Sequence, residues 1–168
     1  MAHRTTWLRS DFMKTIVVIS DTHRNTAPLD KISVVLSECD YIFHLGDMAS
    51  DAKEIMRAYP EKTYVLAGNN DFFGGESEIV LDVEGRRIFA CHGHRYGVKS
   101  GTERLVRAAK EKLCDVALFG HTHEAYIGEQ DGVLLINPGC MTRFSPKDTY
   151  CYLVINGSKA VPTIVEIR

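Results

Sequence analysis

The chain has 168 residues, of which 45% are hydrophobic and 25% charged, and its formal net charge at pH 7 is -2. At roughly 150 residues per domain this length fits one globular domain, and the composition excludes a disordered charged tail and a low-complexity array. The balance of charges also lacks the basic surface that long nucleic acids require, so such a partner is disfavoured.

The five cysteines form no CxxC pair, which indicates neither a disulfide framework nor a zinc ribbon and favours a reducing cytoplasm. No run approaches the ~20 apolar residues that span a bilayer, so no membrane partner is expected. Residues 1–12 are polar and aperiodic. We interpret them as an N-terminal extension ahead of a single domain over residues 13–168.

The first half of the chain repeats a strand, a polar loop and a helix. Lys14 to Ser20 is a continuous β-branched run, typical of a parallel strand that is buried on both faces. The pattern then predicts a helix over 28–37, a strand over 41–45, a short helix over 52–59 and a strand over 63–67.

The second half begins with a predicted hairpin, whose arms over 78–83 and 87–91 flank Glu84-Gly85. An amphipathic helix over 102–113 and a buried strand over 116–119 follow. Short strands are predicted over 125–129, 133–136, 149–155 and 161–167. The chain is therefore expected to be an α/β protein, with its strands in two sheets and helices outside.

Polar clusters stand directly after five of the predicted strands. In open α/β sheets ligands bind beyond the carboxyl ends of the strands, so these five loops could converge on one site. They contain seven candidate metal ligands, which are Asp21, His23, Asp47, Asn69, His92, His121 and His123.

The chemistry of this set points to divalent first-row metals, because imidazole suits them and carboxylate oxygens suit harder ions. Seven donors are too many for one ion, whereas two ions about 3.5–4 Å apart with a shared carboxylate would use all of them. In an extended segment residues i and i+2 face the same side, so Asp21 with His23, and His121 with His123, are each expected to present two donors together. Glycines in these loops would let the backbone approach an ion closely; they are Gly46, Gly68, Gly93 and Gly120.

Each cluster taken alone also has a purely structural explanation. Asp21-Thr22 could cap a turn, and the Gly68 to Asp71 segment has an ordinary turn composition. His44 is interpreted as a satisfied histidine at a strand end, with support of Asp47 as the alternative. It is the ordered set of five clusters, all at strand ends, that favours a common site.

This ordered set resembles the calcineurin-like metallophosphoesterase superfamily. The motifs that carry the resemblance are Asp21-Thr22-His23, Gly46-Asp47, Gly68-Asn69-Asn70-Asp71, His92-Gly93-His94 and Gly120-His121-Thr122-His123. The short chain and its Asn137-Pro138-Gly139 turn are similar to the small YfcE-like phosphodiesterase branch. The resemblance runs from about Met13 to the C-terminus and implies a four-layer αββα sandwich with two mixed sheets.

The resemblance also implies a reaction and a set of roles. Asp21, His23 and His123 would hold a first metal, Asp47 would bridge, and Asn69, His92 and His121 would hold a second. The implied reaction is hydrolysis of a small phosphodiester by a hydroxide that bridges two divalent ions. Manganese is the first candidate metal, with nickel, iron, zinc and magnesium as alternatives, and a homodimer or larger homo-oligomer is expected.

One position departs from the family pattern. Many members have histidine after the metal-binding asparagine, thought to protonate the leaving group or to stabilise the transferring phosphoryl group, and here that position is Asn70. An amide cannot act as a general acid, which typically contributes about 10²–10⁴-fold, so aryl diesters should be hydrolysed better than alkyl diesters. His94 is the candidate replacement donor, and the predicted catalytic set is Asp47, Asn70, Asp71 and His94.

Two other functions stay open at the level of sequence. The same fold serves as a protein-binding scaffold in the retromer subunit that resembles this branch, although that subunit has lost part of the metal set. The third candidate is a nuclease, which the charge balance disfavours.

Overall fold

The computed structural model describes residues 13–72 and 75–168, so the N-terminal extension over 1–12 lies outside the described residues. Ten strands run through the described part of the chain. In chain order they are β1 Met13–Ile19, β2 Tyr41–His44, β3 Thr63–Val65, β4 Glu78–Val83, β5 Arg86–Cys91, β6 Val116–Leu118, β7 Ala125–Gln130, β8 Val133–Pro138, β9 Asp148–Asn156 and β10 Lys159–Ile167.

The strands form two mixed sheets, with spatial orders β10-β9-β1-β2-β3 and β4-β5-β6-β8-β7. Strands β1, β2 and β3 are parallel in the first sheet, and β5, β6 and β8 are parallel in the second. The outer strands β10, β9, β4 and β7 pair in antiparallel fashion. In each sheet the carboxyl ends of the parallel strands therefore lie side by side.

Among the described residues four α-helices cover the sheets: α1 Ala27–Lys31, α2 Ser33–Glu38, α3 Lys53–Ala58 and α4 Glu103–Glu111. The prediction of one helix over 28–37 is wrong, since the backbone of Ile32 leaves helical geometry between α1 and α2 while its side chain stays buried. The helix predicted over 52–59 begins at Lys53, after a 3-10 turn over Ala49–Ala52. No helix in the described ranges is long and apolar enough to cross a membrane.

Strand β1 shows how the layers are stacked. Ile16 and Val18 pack into the cluster between the two sheets, whereas Val17 and Ile19 pack outward against the cluster under α1, α2 and α3. On the far side α4 inserts Leu105 into a third cluster on the second sheet. Because alternate residues of a strand face opposite sides, an uninterrupted apolar run is what such a doubly covered strand needs. The predicted αββα architecture is confirmed.

Candidate metal centre

The loops after β1, β2, β3, β5 and β6 meet at one end of the sandwich and bring the seven candidate ligands together. Within each of two groups the ligand atoms lie within 4.8 Å of one another; the groups are Asp21, His23, Asp47 and His123, and Asp47, His92 and His121. The amide oxygen of Asn69 lies 3.1 Å from Nε2 of His92, beside the second group. Asp47 belongs to both groups.

The fully buried carboxylate of Asp21 shows that the donor set suits a cation. Its Oδ2 accepts hydrogen bonds from Ser20 Oγ at 2.6 Å and from the His121 N–H at 3.0 Å. Its Oδ1 has no hydrogen-bond partner among the described residues. Three imidazole nitrogens face Oδ1 at 3.1, 3.8 and 3.9 Å, namely Nε2 of His123, His23 and His92.

An unsatisfied carboxylate oxygen is costly to bury, and a divalent cation among these atoms would remove that cost. Burial acts to raise the pKa of Asp21, but His123, His92 and the hydrogen bonds from Ser20 and the His121 N–H together hold it below its ordinary value. The carboxylate is therefore anionic at neutral pH, as a metal ligand must be.

Asp47 directs one carboxylate oxygen toward each group. Its Oδ2 lies 3.5 Å from Nε2 of His23, and its Oδ1 lies 3.4 Å from Nε2 of His92. Asn70 holds this orientation, because its N–H donates to Oδ1 at 3.0 Å and its Nδ2 donates to Oδ2 at 2.7 Å. The Nδ1–H of His92 donates to the Leu45 carbonyl oxygen at 2.9 Å, which leaves the Nε2 lone pair directed toward the site.

Five of the seven candidate ligands are held in strained backbone, which the sequence did not predict. Asp21, His23, Asp47, His121 and His123 have φ values of 53, 45, 57, 67 and 63°. The left-handed region costs L residues roughly 1–2 kcal/mol each and persists where surrounding structure over-determines it. The expectation of extended i, i+2 pairs is wrong. Asp21 and His23 do share a group, but His121 and His123 belong to different ones.

The side chain of Asp71 fixes the loop that carries Asp47. Its Oδ2 accepts the backbone N–H groups of Asp47 and Gly68, each at 2.8 Å, and its Oδ1 accepts the N–H of Ala49 at 2.8 Å. Its place in the predicted catalytic set is therefore best understood as positioning Asp47.

A buried asparagine, which the sequence analysis did not include among the site residues, fixes the loop that carries His121 and His123. Asn137 is fully buried, and its Nδ2 donates to the Gly120 carbonyl oxygen and to Thr122 Oγ1, each at 3.0 Å. Its Oδ1 accepts the N–H of Gly139 at 2.9 Å. The signal for this role was its position in the Asn-Pro-Gly turn after a buried strand.

Two of the loop glycines are required because their backbone packs directly against carboxylate ligands, and not because it approaches an ion. A Cβ at Gly68 would overlap the carboxylate of Asp47. A Cβ at Gly120 would overlap the hydroxyl of Ser20 and lie 2.7 Å from Oδ2 of Asp21. Both loops therefore pack against the carboxylates without room for any side chain.

His44 lies beneath the site and contacts Thr22 rather than Asp47. Its Nδ1 accepts the N–H of Gly46 at 3.2 Å, so its Nε2 carries the proton and donates to Thr22 Oγ1 at 3.1 Å. The Thr22 hydroxyl donates in turn to Oδ2 of Asp51 at 2.7 Å. Asp51, which the sequence analysis did not identify, thus anchors the turn that carries Asp21 and His23.

The neutral form of His44 should make folding stability sensitive to acid. Burial lowers the pKa of His44 to about 4, against the opposing effect of Asp51, Asp21 and Asp71. The unfolded chain then binds the extra proton first, so this contribution to stability is complete above pH 6.5 and is lost as the pH falls toward 4. Chemical denaturation of the metal-free protein at pH 7 and at pH 4.5 should show this loss as a lower free energy of unfolding at the acidic pH.

The matched variant for this test is His44→Gln, which keeps an N–H donor for Thr22 but does not titrate. We expect the wild-type free energy of unfolding to fall by about 2 kcal/mol more than that of the variant between the two pH values. Equal losses in the two proteins would assign the acid sensitivity to other groups.

A two-sheet αββα sandwich that gathers carboxylates and imidazoles at the strand ends defines a metallophosphoesterase. The chain belongs to the calcineurin-like phosphoesterase superfamily, whose domain it matches over residues 13–159.

Similarity to individual proteins supports the same family assignment. The chain is 34% identical to a probable metallophosphoesterase of Mycoplasma pneumoniae over 149 residues, which cover 84% of this chain and 89% of the relative. It is 31% identical over 148 residues to a phosphodiesterase of Methanocaldococcus jannaschii, and the match covers 74% of this chain and 82% of the relative. In fold it is similar to vacuolar protein sorting 29 of Cryptosporidium parvum, with a TM-score of 0.83 at 20% identity over 94% and 93% of the two chains.

Proposed function

We propose that the protein is a phosphodiesterase that hydrolyses a small phosphodiester with two divalent metal ions. The observation that carries the proposal is the pair of ligand groups that share Asp47, with one of its carboxylate oxygens facing each group. Asp21, His23 and His123 would complete the first site, and Asn69, His92 and His121 the second. We take manganese as the first candidate, and five free, buried cysteines favour the cytoplasm.

When bound, the two cations would lower the pKa of a shared water and neutralise charge on the phosphoryl oxygens. The chain itself supplies the alignment. Asp71 fixes the backbone of Asp47, and Asn70 orients its carboxylate. His94 has its ring centroid 5.4 Å from that of His92 and 6.1 Å from that of His121, at the edge of the site.

His94 is suited to donate a hydrogen bond but not to act as an acid at neutral pH. Burial, followed by His92 and Arg95, lowers its pKa, so the ring is neutral. Its Nδ1 is buried without a hydrogen-bond partner in the described part of the chain. We assign it a contact with the phosphoryl oxygens of the substrate rather than protonation of the leaving group.

The test is hydrolysis of bis-p-nitrophenyl phosphate by metal-stripped protein, with manganese, nickel, zinc or magnesium added back. We expect no turnover without metal and restored turnover with at least one of the four. Stoichiometric metal binding without turnover on any of them would contradict a diesterase and favour the protein-binding scaffold. The nearly complete exposure of Phe72 and Phe144, at 87% and 98%, would then mark surfaces to examine for partners.

The leaving-group preference follows from Asn70. Because its amide is tied to Asp47 and carries no acidic proton, kcat/KM should fall steeply as the pKa of the leaving alcohol rises. Asn70→His should raise kcat/KM for alkyl diesters by about 10²-fold relative to kcat/KM for p-nitrophenyl diesters, because the lost contact between Asn70 and Asp47 affects both substrates alike. A series of diesters with leaving groups from p-nitrophenol to simple alcohols measures this.

Asn70→Gln is the control, since it retains an amide and adds no acid. It should keep the steep dependence on the leaving group. Wild-type rates that do not change across the series would refute this account of Asn70, and His94→Ala would then show whether His94 supplies the proton.

A further inference from the structure

A cavity of about 350 Å³ opens beside the loop that carries His121 and His123. Its wall includes Val98, Lys99, Phe119, Thr122, Glu124 and Tyr126. Thr122 stands between the two histidines in the chain, so the cavity lies against the loop that carries one ligand of each group. Its volume is at the lower end of the range for small-molecule sites, which suits one part of a ligand rather than a polymer.

Two aromatic side chains form one side of this cavity. The rings of Phe119 and Tyr126 lie with centroids 6.4 Å apart and planes inclined by 58°. Phe119 is almost completely buried, whereas Tyr126 on β7 is 46% exposed. Tyr126 therefore has ring surface available for a ligand, next to a buried aromatic neighbour.

Lys99 places an uncompensated positive charge in the same wall. It is exposed, and among residues 13–72 and 75–168 it has no ion-pair or hydrogen-bond partner. Lys99 and Thr122 line the same cavity, which places the lysine beside the loop that carries His121 and His123. Glu124, also in the wall, disfavours a second anionic group on the ligand.

We propose that this cavity binds an aromatic or heterocyclic ring of the phosphoester substrate, stacked on Tyr126, while Lys99 contacts the phosphoryl oxygens. The inference rests on the proposed function, since it takes the phosphoryl group to lie at the paired ligand groups. It narrows the substrate class to phosphoesters with a neutral ring substituent. With its ring in the cavity next to Thr122, such a ligand would direct its phosphate toward the neighbouring histidines, on the same loop that the lysine faces across the cavity.

The test compares binding of phenyl phosphate and methyl phosphate, two monoester product analogues, to the metal-loaded protein by calorimetry. The ring should make phenyl phosphate bind about tenfold more tightly, as aromatic stacking typically does. Tyr126→Ala should abolish this preference, and Tyr126→Phe should keep it. Ile127→Ala is the matched control, because the adjacent strand residue projects to the opposite face and does not line the cavity.

The lysine is tested separately. Lys99→Gln should weaken both monoesters by about tenfold while leaving their ratio unchanged, because it removes a charge contact with the phosphate that both share. Lys110→Gln, on the exposed surface of α4, removes one charge away from the cavity and should change neither affinity. No effect of Lys99→Gln would overturn the phosphoryl contact.

Equal affinity of the wild type for the two monoesters, or binding of neither, would overturn the ring site. The same holds if Ile127→Ala removes the preference as fully as Tyr126→Ala. These outcomes are independent of turnover. A ring preference without hydrolysis of any diester would refute the phosphodiesterase and support the cavity, whereas hydrolysis without a ring preference would do the reverse.

Discussion

Asp47→Ala should abolish metal-dependent hydrolysis while the chain stays folded. Asp47 is the one residue common to both ligand groups, so its removal takes a ligand from each proposed ion at once. Metal ions contribute several kcal/mol of transition-state stabilisation, and about 1.4 kcal/mol corresponds to a factor of ten. We therefore expect kcat/KM for bis-p-nitrophenyl phosphate to fall by about 10³-fold or more at saturating metal.

Metal stoichiometry gives a second readout of the same variant. It should drop from two ions per chain to one or none, while near-ultraviolet circular dichroism stays that of the wild type. Asp30→Ala removes an exposed carboxylate from α1 and serves as the control with unchanged activity and stoichiometry. An Asp47→Ala variant that kept a tenth of the wild-type kcat/KM would rule out a shared carboxylate as the centre of the mechanism.

The fold and the meeting of the ligands could be predicted because both depend on local sequence patterns. A continuous apolar run such as β1 has few alternatives to a strand covered on both sides. Once three such strands are parallel, their carboxyl ends must be neighbours, and the polar residues that follow them meet. The parallel arrangement of these strands is enough to predict that Asp47 lies in the shared site.

The details of the site could not be predicted, because they depend on contacts between distant segments. The family resemblance implied that His121 and His123 serve different groups, but nothing in the tetrapeptide Gly120 to His123 signals the left-handed backbone by which they do so. Asp51 reaches Thr22 across 29 residues of chain. Lys99 enters the wall of the cavity with no motif to mark it. Each of these features appears only when the loops are placed together.

The same dependence on close loop packing makes Gly68→Ala a severe substitution. The added Cβ would lie 2.5 Å from the backbone nitrogen of Asp47 and overlap its carboxylate, so the two loops must separate. Overpacking of this kind typically costs about 1–3 kcal/mol. Moving Asp47 by even 1 Å from His23 and His92 should also lower kcat/KM by about 10²-fold, since alignment of the reacting groups is lost.

Gly132→Ala separates the loss of stability from the loss of the site. Gly132 has a φ of 79° and no atom within 4 Å of an added Cβ, so alanine there is strained but displaces nothing. It should lower the free energy of unfolding by about 1 kcal/mol and leave kcat/KM unchanged. Urea denaturation of both variants measures the loss of stability, and diesterase kinetics on both measures the loss of activity. If Gly68→Ala keeps the activity of Gly132→Ala, the carboxylate of Asp47 tolerates displacement and its fixed position is not what the reaction requires.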